Sequence, residues 1–267
     1  MRIYEKLNLE KPASISMQKL EIAKTMPIVE LIKDAGNNYK KKEGILSPKS
    51  FFVIISGGEK RERQYFQLVS NIDNFGRIKI QFLSDPKQLF PDGLLETAIS
   101  KQERYKTSQE DTPDKIFIVS DVDHFYNDLV RIKPECEKID ISLIINNSCF
   151  EIWLYYGKFD HKPTDFYIPA DKLKISRSFK KYLDSKVKGG VNPMYAIFDI
   201  FVAKNNAKNN YEEDANHIPK LFSTNMFLLA DEILPLIDIE LMKRIEENKQ
   251  KKRLFQKVKS YDPNILI

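Results

Sequence analysis

Two acidic residues, Asp121 and Asp123, stand two positions apart in the stretch VSDVDHF, where the apolar run KIFIVS ends. In an extended chain, residues i and i+2 point to the same side, so both carboxylates should project together. Carboxylates held close repel each other, and a cation between them relieves this repulsion. Carboxylate oxygens are hard ligands that suit Mg²⁺ or Mn²⁺. The spacing therefore predicts a metal site, although acids in a solvated turn would have the same pattern.

A second pair of acids follows another apolar run, in the stretch FVIISGGEKRERQYF at 52–66. Gly57 and Gly58 permit a tight turn, and Glu59 and Glu62 fall in the first helical turn after it, where the helix dipole favours acids. The turn matches neither the P-loop pattern GxxxxGK[ST] nor the GxGxxG of dinucleotide-binding proteins. Simple turn and helix-start chemistry explains these residues equally well, so their meaning depends on where the fold places them.

Other polar side chains are weaker candidates. His124 adjoins the acidic pair and could contact a phosphate or donate a proton, although a histidine at the rim of a site would look the same. Four lysines could hold a scissile phosphate, although solvated surface lysines have the same pattern: Lys180, Lys181, Lys204 and Lys208. Three scattered histidines support no Ser/His/Asp arrangement.

The elements that must position these residues alternate along the chain. Apolar runs at 51–56, 78–83, 115–120 and 141–146 are separated by amphipathic stretches at 59–72, 94–105 and 127–138. This pattern predicts an α/β fold with a mostly parallel sheet covered by helices on both faces and joined by right-handed crossovers.

Ligands of such sheets bind just beyond the carboxyl ends of the strands. The residues after the first and third runs therefore belong to the expected binding edge. If those two strands are neighbours, Glu59 or Glu62 joins Asp121 and Asp123 in one acidic crevice. Metal held there can activate water and neutralise a phosphodiester oxyanion, which indicates phosphoryl transfer or hydrolysis.

Three regions are expected along the chain. Residues 1–48 should form an N-terminal arm with one amphipathic helix around Met17–Ala35, residues 49–160 the α/β domain, and residues 161–267 a helical subdomain. In the last region an apolar helix should follow an N-cap at Ser223 or Thr224. A basic amphipathic helix is predicted at 239–259, for which a solvated face and a contact with nucleic acid or a partner both stay open.

Composition limits the class of protein. The net charge is +5, from 43 basic and 38 acidic residues, which permits a nucleic-acid partner without arguing for one. Cys136 and Cys149 cannot form a disulfide framework, and no Cys/His spacing indicates structural zinc. The first 20 residues are charged where a signal peptide would be apolar, and no run approaches the roughly 20 apolar residues of a membrane span. We expect a cytoplasmic protein with no membrane contact and reduced thiols.

Four stretches occur in a distinctive order: GGEKRERQYF, IFIVSDVDHF, INNSCFEIWLYYGKF and LFSTNMFLLADEIL. A Glu and a DxD pair at strand ends resemble the Toprim domain of topoisomerases, bacterial primases and OLD-type nucleases. The full order is similar to the RloB family, whose members have GEKxExxYF, hhhhDxD, SNPCFELWL and a late NPST motif. The resemblance spans about residues 50–235.

The resemblance implies a Toprim-like fold and a divalent-metal-dependent nuclease of bacterial phage defence or restriction, of the abortive-infection kind. It also implies DNA or RNA as substrate, an AAA-type ATPase as partner, and a homodimer, which is common among Toprim proteins. The matching metal ligands are Asp121 and Asp123, with Glu59 or Glu62 from the first motif.

The third motif adds Glu151 as a catalytic acid that supports the site, and Asn147 and Cys149 fit the same motif. A helix-start acid beside the core residue Trp153 would have the same sequence, so both interpretations of Glu151 stay open.

One departure from the family pattern concerns Gly57. The family's first motif begins EGEK, and its leading Glu, expected to act as metal ligand or general base, falls on Gly57 here. Either Glu59 or Glu62 takes over, or the chain is a degenerate Toprim module that binds nucleic acid or a partner ATPase without cleavage. A small-molecule phosphotransferase on a doubly wound sheet is a third hypothesis.

Overall fold

The computed structural model describes residues 50–261, apart from residue 59 and the segments 73–77, 85–89 and 108–110. For residues 251–261 only the backbone is described. The predicted arm at 1–48, its helix at Met17–Ala35 and the candidate ligand Glu59 lie outside the described residues.

Within the described residues, four parallel strands form one sheet in the order β2-β1-β3-β4. Its strands are β1 (Ser50–Ser56), β2 (Ile78–Leu83), β3 (Lys115–Asp121) and β4 (Ile141–Asn146). The four apolar runs predict these bounds to within one residue, because strands covered on both faces need continuous apolar sequence. The predicted α/β fold with a parallel sheet is confirmed, and the first and third strands are neighbours, which is the arrangement that a shared acidic crevice requires.

Helices cover both faces of this sheet. Side chains alternate along β1, so Phe52 and Ile54 join one apolar core while Phe51, Val53 and Ile55 join the other. Helix α1 (Arg61–Ile72) packs in the first core, and α2 (Pro91–Thr107) and α3 (Tyr126–Lys138) pack in the second.

The remaining helices pack in the same core as α1. They are α4 (Glu151–Tyr156), α5 (Ile175–Lys186), α6 (Pro193–Ala196), α7 (Ile200–Asn209) and α8 (Met226–Tyr261), with short 3₁₀ turns at Lys172–Lys174 and Ile197–Asp199. The described residues belong to one compact unit. The predicted boundary at residue 160 lies inside this unit, and the division there into two domains stays a prediction.

Helix α8 corrects the expectation of two separate C-terminal helices. It runs for 36 residues through Pro235 without a break. Pro235 is exposed, whereas Leu234, Leu236 and Ile237 beside it are buried, so apolar contacts on both sides of the proline hold the helix on the core. The predicted N-cap is confirmed for Thr224, whose Oγ1 accepts a hydrogen bond of 3.1 Å from the Met226 amide.

Among the helices of the described residues, none has both the length and the apolar composition that a bilayer-spanning helix requires.

Candidate active site

Three carboxylates from separate elements lie together at the carboxyl edge of the sheet, and we call them the acidic cluster. Glu62 comes from the first turn of α1, Asp121 is the last residue of β3, and Glu151 is the first residue of α4. Burial, followed by the negative charges of Glu62 and Glu151, raises the pKa of Asp121 well above its ordinary value. The cluster thus concentrates mutually repelling acids in a largely buried place.

Glu62 owes its position to Gly58. A Cβ atom added to Gly58 would lie 1.9 Å from the Glu62 carboxyl carbon and 2.1 Å from each carboxyl oxygen. The carboxyl group therefore fills the space above Gly58, and a side chain at that position would displace it. Burial raises the pKa of Glu62, the charge of Glu151 adds to this, and a backbone hydrogen bond at the helix start opposes it. Gly58 therefore does more than permit a tight turn, because its missing side chain leaves room for the Glu62 carboxyl group.

Asp121 is tied to the last helix by a chain of hydrogen bonds. Asn146 Nδ2 donates to Asp121 Oδ1 at 3.3 Å, and Asn146 Oδ1 accepts from Thr224 Oγ1 at 2.7 Å. Thr224 in turn caps α8 at Met226. Because Asn146 and Thr224 are both fully buried, this chain fixes the Asp121 carboxylate in one orientation.

The segment around Thr224 also clamps the end of β4. Asn225 Oδ1 accepts from the Ile145 amide at 2.6 Å, and Asn225 Nδ2 donates to the Leu143 carbonyl at 3.1 Å. This side chain satisfies the backbone of the edge strand as a fifth strand would. The fourth sequence motif, LFSTNM, thus orients the site from a distance. Its sequence signals were the N-cap and the likeness to the family's late NPST motif, neither of which predicts this contact.

Glu151 is balanced by two cations. Its Oε1 atom lies 3.1 Å from Arg61 Nη1, its Oε2 atom lies 3.6 Å from Lys180 Nζ, and its side chain is only 3% exposed. Burial alone would lower the pKa of Lys180, but the negative charge of Glu151 opposes this, and the pKa is raised overall. Arg61 was missed by sequence reasoning, because its role depends on a partner 90 residues away.

Asp123 departs from the expected geometry. The strand ends at Asp121, and Asp123 lies in a turn with a φ of 29°. The turn forms because the Val122 amide donates to Asn146 and the Asp123 amide donates to Ser148. The expectation that the chain is extended through both residues is therefore wrong, and the role of Asp123 as a metal ligand stays a prediction.

The other candidates have distinct surroundings. His124 is exposed and lies 3.7 Å from an Asp123 oxygen, and Lys204 pairs with Asp231 at 2.7 Å. Lys181 and Lys208 are exposed. Of the four candidate lysines, only Lys180 reaches the acidic cluster.

The two thiols are buried. Burial, and then the charges of Glu151 and Asp121, raise the pKa of Cys149 well above its ordinary value. Burial, and then the charge of Glu135, raise the pKa of Cys136 to about 11. Both thiols are therefore protonated near neutral pH and are poor nucleophiles.

A polar pocket of about 470 Å³ opens next to the cluster. Its lining residues are Arg61, Asp184, Gly189, Gly190, Val191 and Asn192. Arg61 connects the two places, because its Nη2 lies 3.9 Å from Asp184 in the pocket wall while its Nη1 contacts Glu151. A substrate phosphate in this pocket would lie close to buried carboxylates.

The donor chemistry of the cluster fits a hard divalent cation, because its donor atoms are carboxylate oxygens. Glu151 Oε2 and Asp123 Oδ1 are buried and have no hydrogen-bond partner in the part of the chain described. In that same part, no group of three or more His, Cys, Asp and Glu side chains is arranged to hold a metal ion. Mg²⁺ commonly uses one or two carboxylates and several waters, and Glu62 and Asp121 supply that number of carboxylates.

Comparison with known proteins identifies the family. A family model described as RloB-like protein matches residues 52–233, more than half of the chain. No curated protein and no solved structure matches the chain. The matched range contains the whole acidic cluster and the Asn146–Thr224 link. The chain belongs to the RloB-like protein family.

Proposed function

We propose that this RloB-like protein is a divalent-metal-dependent nuclease that hydrolyses phosphodiester bonds of DNA or RNA at the acidic cluster. One observation carries the proposal: half-buried Glu62 and Asp121 and buried Glu151 converge from three elements at the carboxyl edge of a parallel sheet. Burying carboxylates together is costly, and such perturbed acids concentrate at functional sites. This edge is also where ligands of parallel α/β sheets bind.

The residues divide by role. Asp121 and Glu62 are the proposed first ligands of Mg²⁺ or Mn²⁺, and Asp123 and Glu59 are further candidates. When bound, the ion lowers the pKa of a coordinated water and neutralises charge on the phosphodiester. Burial raises the pKa of Glu62, which makes this carboxylate a stronger base and the proposed acceptor of a proton from the attacking water.

Glu151 supports the site through its two cations. It holds Arg61 at the wall of the pocket and Lys180 beside the carboxylates. Both cations are therefore near the place where a substrate phosphate would lie, and a guanidinium binds phosphate oxygens in pairs. Glu151 acts as a positioning residue, which refines the catalytic role expected of it.

The cellular role is proposed from the family resemblance alone. It supports a cytoplasmic part in bacterial defence against phage or foreign DNA, together with an AAA-type ATPase. It also supports a homodimer.

A second candidate function is a module that binds nucleic acid or a partner ATPase without cleavage. Two observations favour it. Gly57 lacks the carboxylate of the family's leading Glu. Arg61 and Lys180 already balance the charge of Glu151, so this acid is stable without a metal ion.

Cleavage of labelled single-stranded and duplex DNA and RNA, with Mn²⁺, Mg²⁺ or a chelator, tests the proposal. We expect metal-dependent cleavage that falls by at least about 100-fold in Asp121→Asn. Asp128→Asn is the matched control, because Asp128 lies on α3 in the other core layer and pairs with Arg131. Full activity of Asp121→Asn would refute the assignment. Binding without cleavage by the wild type would favour the second function.

A further inference from the structure

Within residues 50–250, positive charge is concentrated in residues 158–188, which we call the basic segment. It contains nine Lys and Arg and four Asp, a formal charge of +5. The rest of residues 50–250 has 19 basic and 27 acidic residues, a formal charge of −8. Such a polarised distribution attracts a polyanion to one side of the molecule.

Several cations of the basic segment are unpaired. Lys158, Lys162 and Lys186 are neutralised by Asp199, Glu212 and Asp165 respectively. Four others are exposed and have no ion pair or hydrogen-bond partner for their side chains within the described residues: Lys172, Arg177, Lys181 and Lys188. These four are available to phosphates outside the protein.

The same segment exposes apolar side chains among its cations. Tyr167 is 86% exposed, Leu173 66% and Ile168 49%. A tyrosine that presents its ring to solvent between cations is a common platform for an unpaired base. Unpaired bases offer their faces for stacking, whereas the bases of a duplex are covered by their neighbours.

The loop that contains Tyr167 is anchored to the core. The neighbouring Phe166 makes edge contacts with Phe179, Tyr182 and Phe222 at centroid distances of 5.2 to 5.6 Å. Asp165 accepts hydrogen bonds from Tyr182 and Lys186. The exposed ring is thus held on a packed support, which lowers the entropy lost on binding.

Helix α5 connects the basic segment to the acidic cluster. Lys180 lies 3.6 Å from Glu151, and Asp184, one turn later, lines the pocket with Arg61. Arg177 lies one turn before Lys180 on this helix, and Lys181 is its exposed neighbour. One helix therefore brings Lys180 to the cluster and holds two exposed cations, Arg177 and Lys181, within one turn of it.

We propose that the basic segment binds a single strand of DNA or RNA, with Arg177 and Lys181 on phosphates and Tyr167 stacked on a base. The strand then leads along α5 to the pocket at Arg61. Its delivery to a cutting site rests on the proposed nuclease function, whereas the binding itself does not.

Binding is measured by fluorescence anisotropy with labelled oligonucleotides of about 20 nucleotides, which span one or more typical single-strand sites. EDTA is present throughout, so cleavage does not interfere. The variants are Arg177→Glu/Lys181→Glu, its milder form Arg177→Gln/Lys181→Gln, and Tyr167→Ala. Circular dichroism and the melting temperature establish that each variant is folded.

The matched control is Lys106→Glu/Lys138→Glu. Both lysines are exposed, and they lie on α2 and α3, which pack in the other core layer. This variant makes the same change in net charge away from the basic segment, so it measures the non-local effect of charge.

We expect the wild type to prefer single strands to duplex. The double charge reversal should weaken binding at least tenfold and reduce the slope of log K against log salt by about 1.4, for two lost phosphate contacts. Tyr167→Ala should weaken single-strand binding about tenfold. The control should stay within about threefold of the wild type.

Four results would overturn the proposal: no binding by the wild type, equal binding by the charge-reversed variant, an equal loss in the control, or a preference for duplex. Tight binding to vesicles of anionic lipid with no affinity for oligonucleotides would assign the segment to a membrane surface instead. If binding follows the prediction but nothing is cleaved, only the nuclease proposal fails. If cleavage occurs and is unaffected by the charge reversal, only the present inference fails.

Discussion

Replacing Gly58 with alanine should displace the Glu62 carboxyl from the acidic cluster without unfolding the protein. The new Cβ would lie 1.9 Å from the carboxyl carbon, and ordinary carbon contacts are about 3.5–4.0 Å, so the carboxyl must move by about 2 Å. Glu62 is flexible and only its end is blocked, so the side chain should move and the backbone should stay.

The magnitude of the effect follows from this displacement. A misplacement of about 1 Å at a catalytic group can slow a reaction about 100-fold, so we expect at least that loss in the cleavage rate of Gly58→Ala. Gly58 is not among the described residues with positive φ, so alanine fits its backbone. The free energy of unfolding should therefore change by less than about 1 kcal/mol, measured by urea denaturation.

A double-mutant cycle separates displacement of Glu62 from any other effect of the new methyl group. Glu62→Ala empties the space above Gly58, so adding Gly58→Ala to that variant should cause no further loss of cleavage. If Gly58→Ala leaves the wild-type rate unchanged, or slows Glu62→Ala as much as it slows the wild type, the packing argument is refuted.

Three further predictions concern the same edge of the sheet. The folded-state pKa of Asp121 is raised, so the free energy of unfolding of the wild type, measured with a chelator present, should fall as pH rises from about 4 towards neutral. Asp121→Asn should reduce this fall, as measured by urea or thermal unfolding. Gly57→Glu should change the cleavage rate by less than about tenfold, because Glu62 already supplies a carboxylate at this turn. Asn225→Ala leaves the Ile145 amide and the Leu143 carbonyl without their partner, so it should lower the free energy of unfolding by about 1–3 kcal/mol.

Each of these has a contrary result. A pH profile of Asp121→Asn that parallels the wild type would place the raised pKa elsewhere. A gain of 10²–10⁴-fold in cleavage for Gly57→Glu, the usual contribution of a general base, would mean that the natural turn lacks one. An Asn225→Ala variant as stable as the wild type would mean that water replaces the clamp.

The sheet was predictable because its signal is local. Continuous apolar runs such as FFVIIS and KIFIVS specify buried strands wherever they occur, and parallel topology then brings their ends to one edge. The nearness of Glu62 to Asp121 also requires β1 and β3 to be adjacent, which the apolar runs leave open and the structure shows.

The geometry of the site was less predictable, because it depends on contacts between distant residues. The link from Asn146 to Thr224 joins positions 78 residues apart, and no sequence spacing reports it. The turn at Asp123 forms because its amide finds a partner at Ser148, which breaks the period-two rule used for the strand. Helix α8 continues through Pro235 because the proline faces solvent while its apolar neighbours pack on the core, and this orientation depends on the tertiary structure.

The central claim is that the acidic cluster binds a divalent cation, and a calorimetric Mn²⁺ titration tests it without knowledge of the substrate. Wild type, Asp121→Asn and the Asp128→Asn control are compared after each is shown to be folded, with and without an oligonucleotide to complete the coordination shell. The account predicts saturable binding by the wild type and the control, and its loss in Asp121→Asn. Equal titrations of the wild type and Asp121→Asn under both conditions would contradict it.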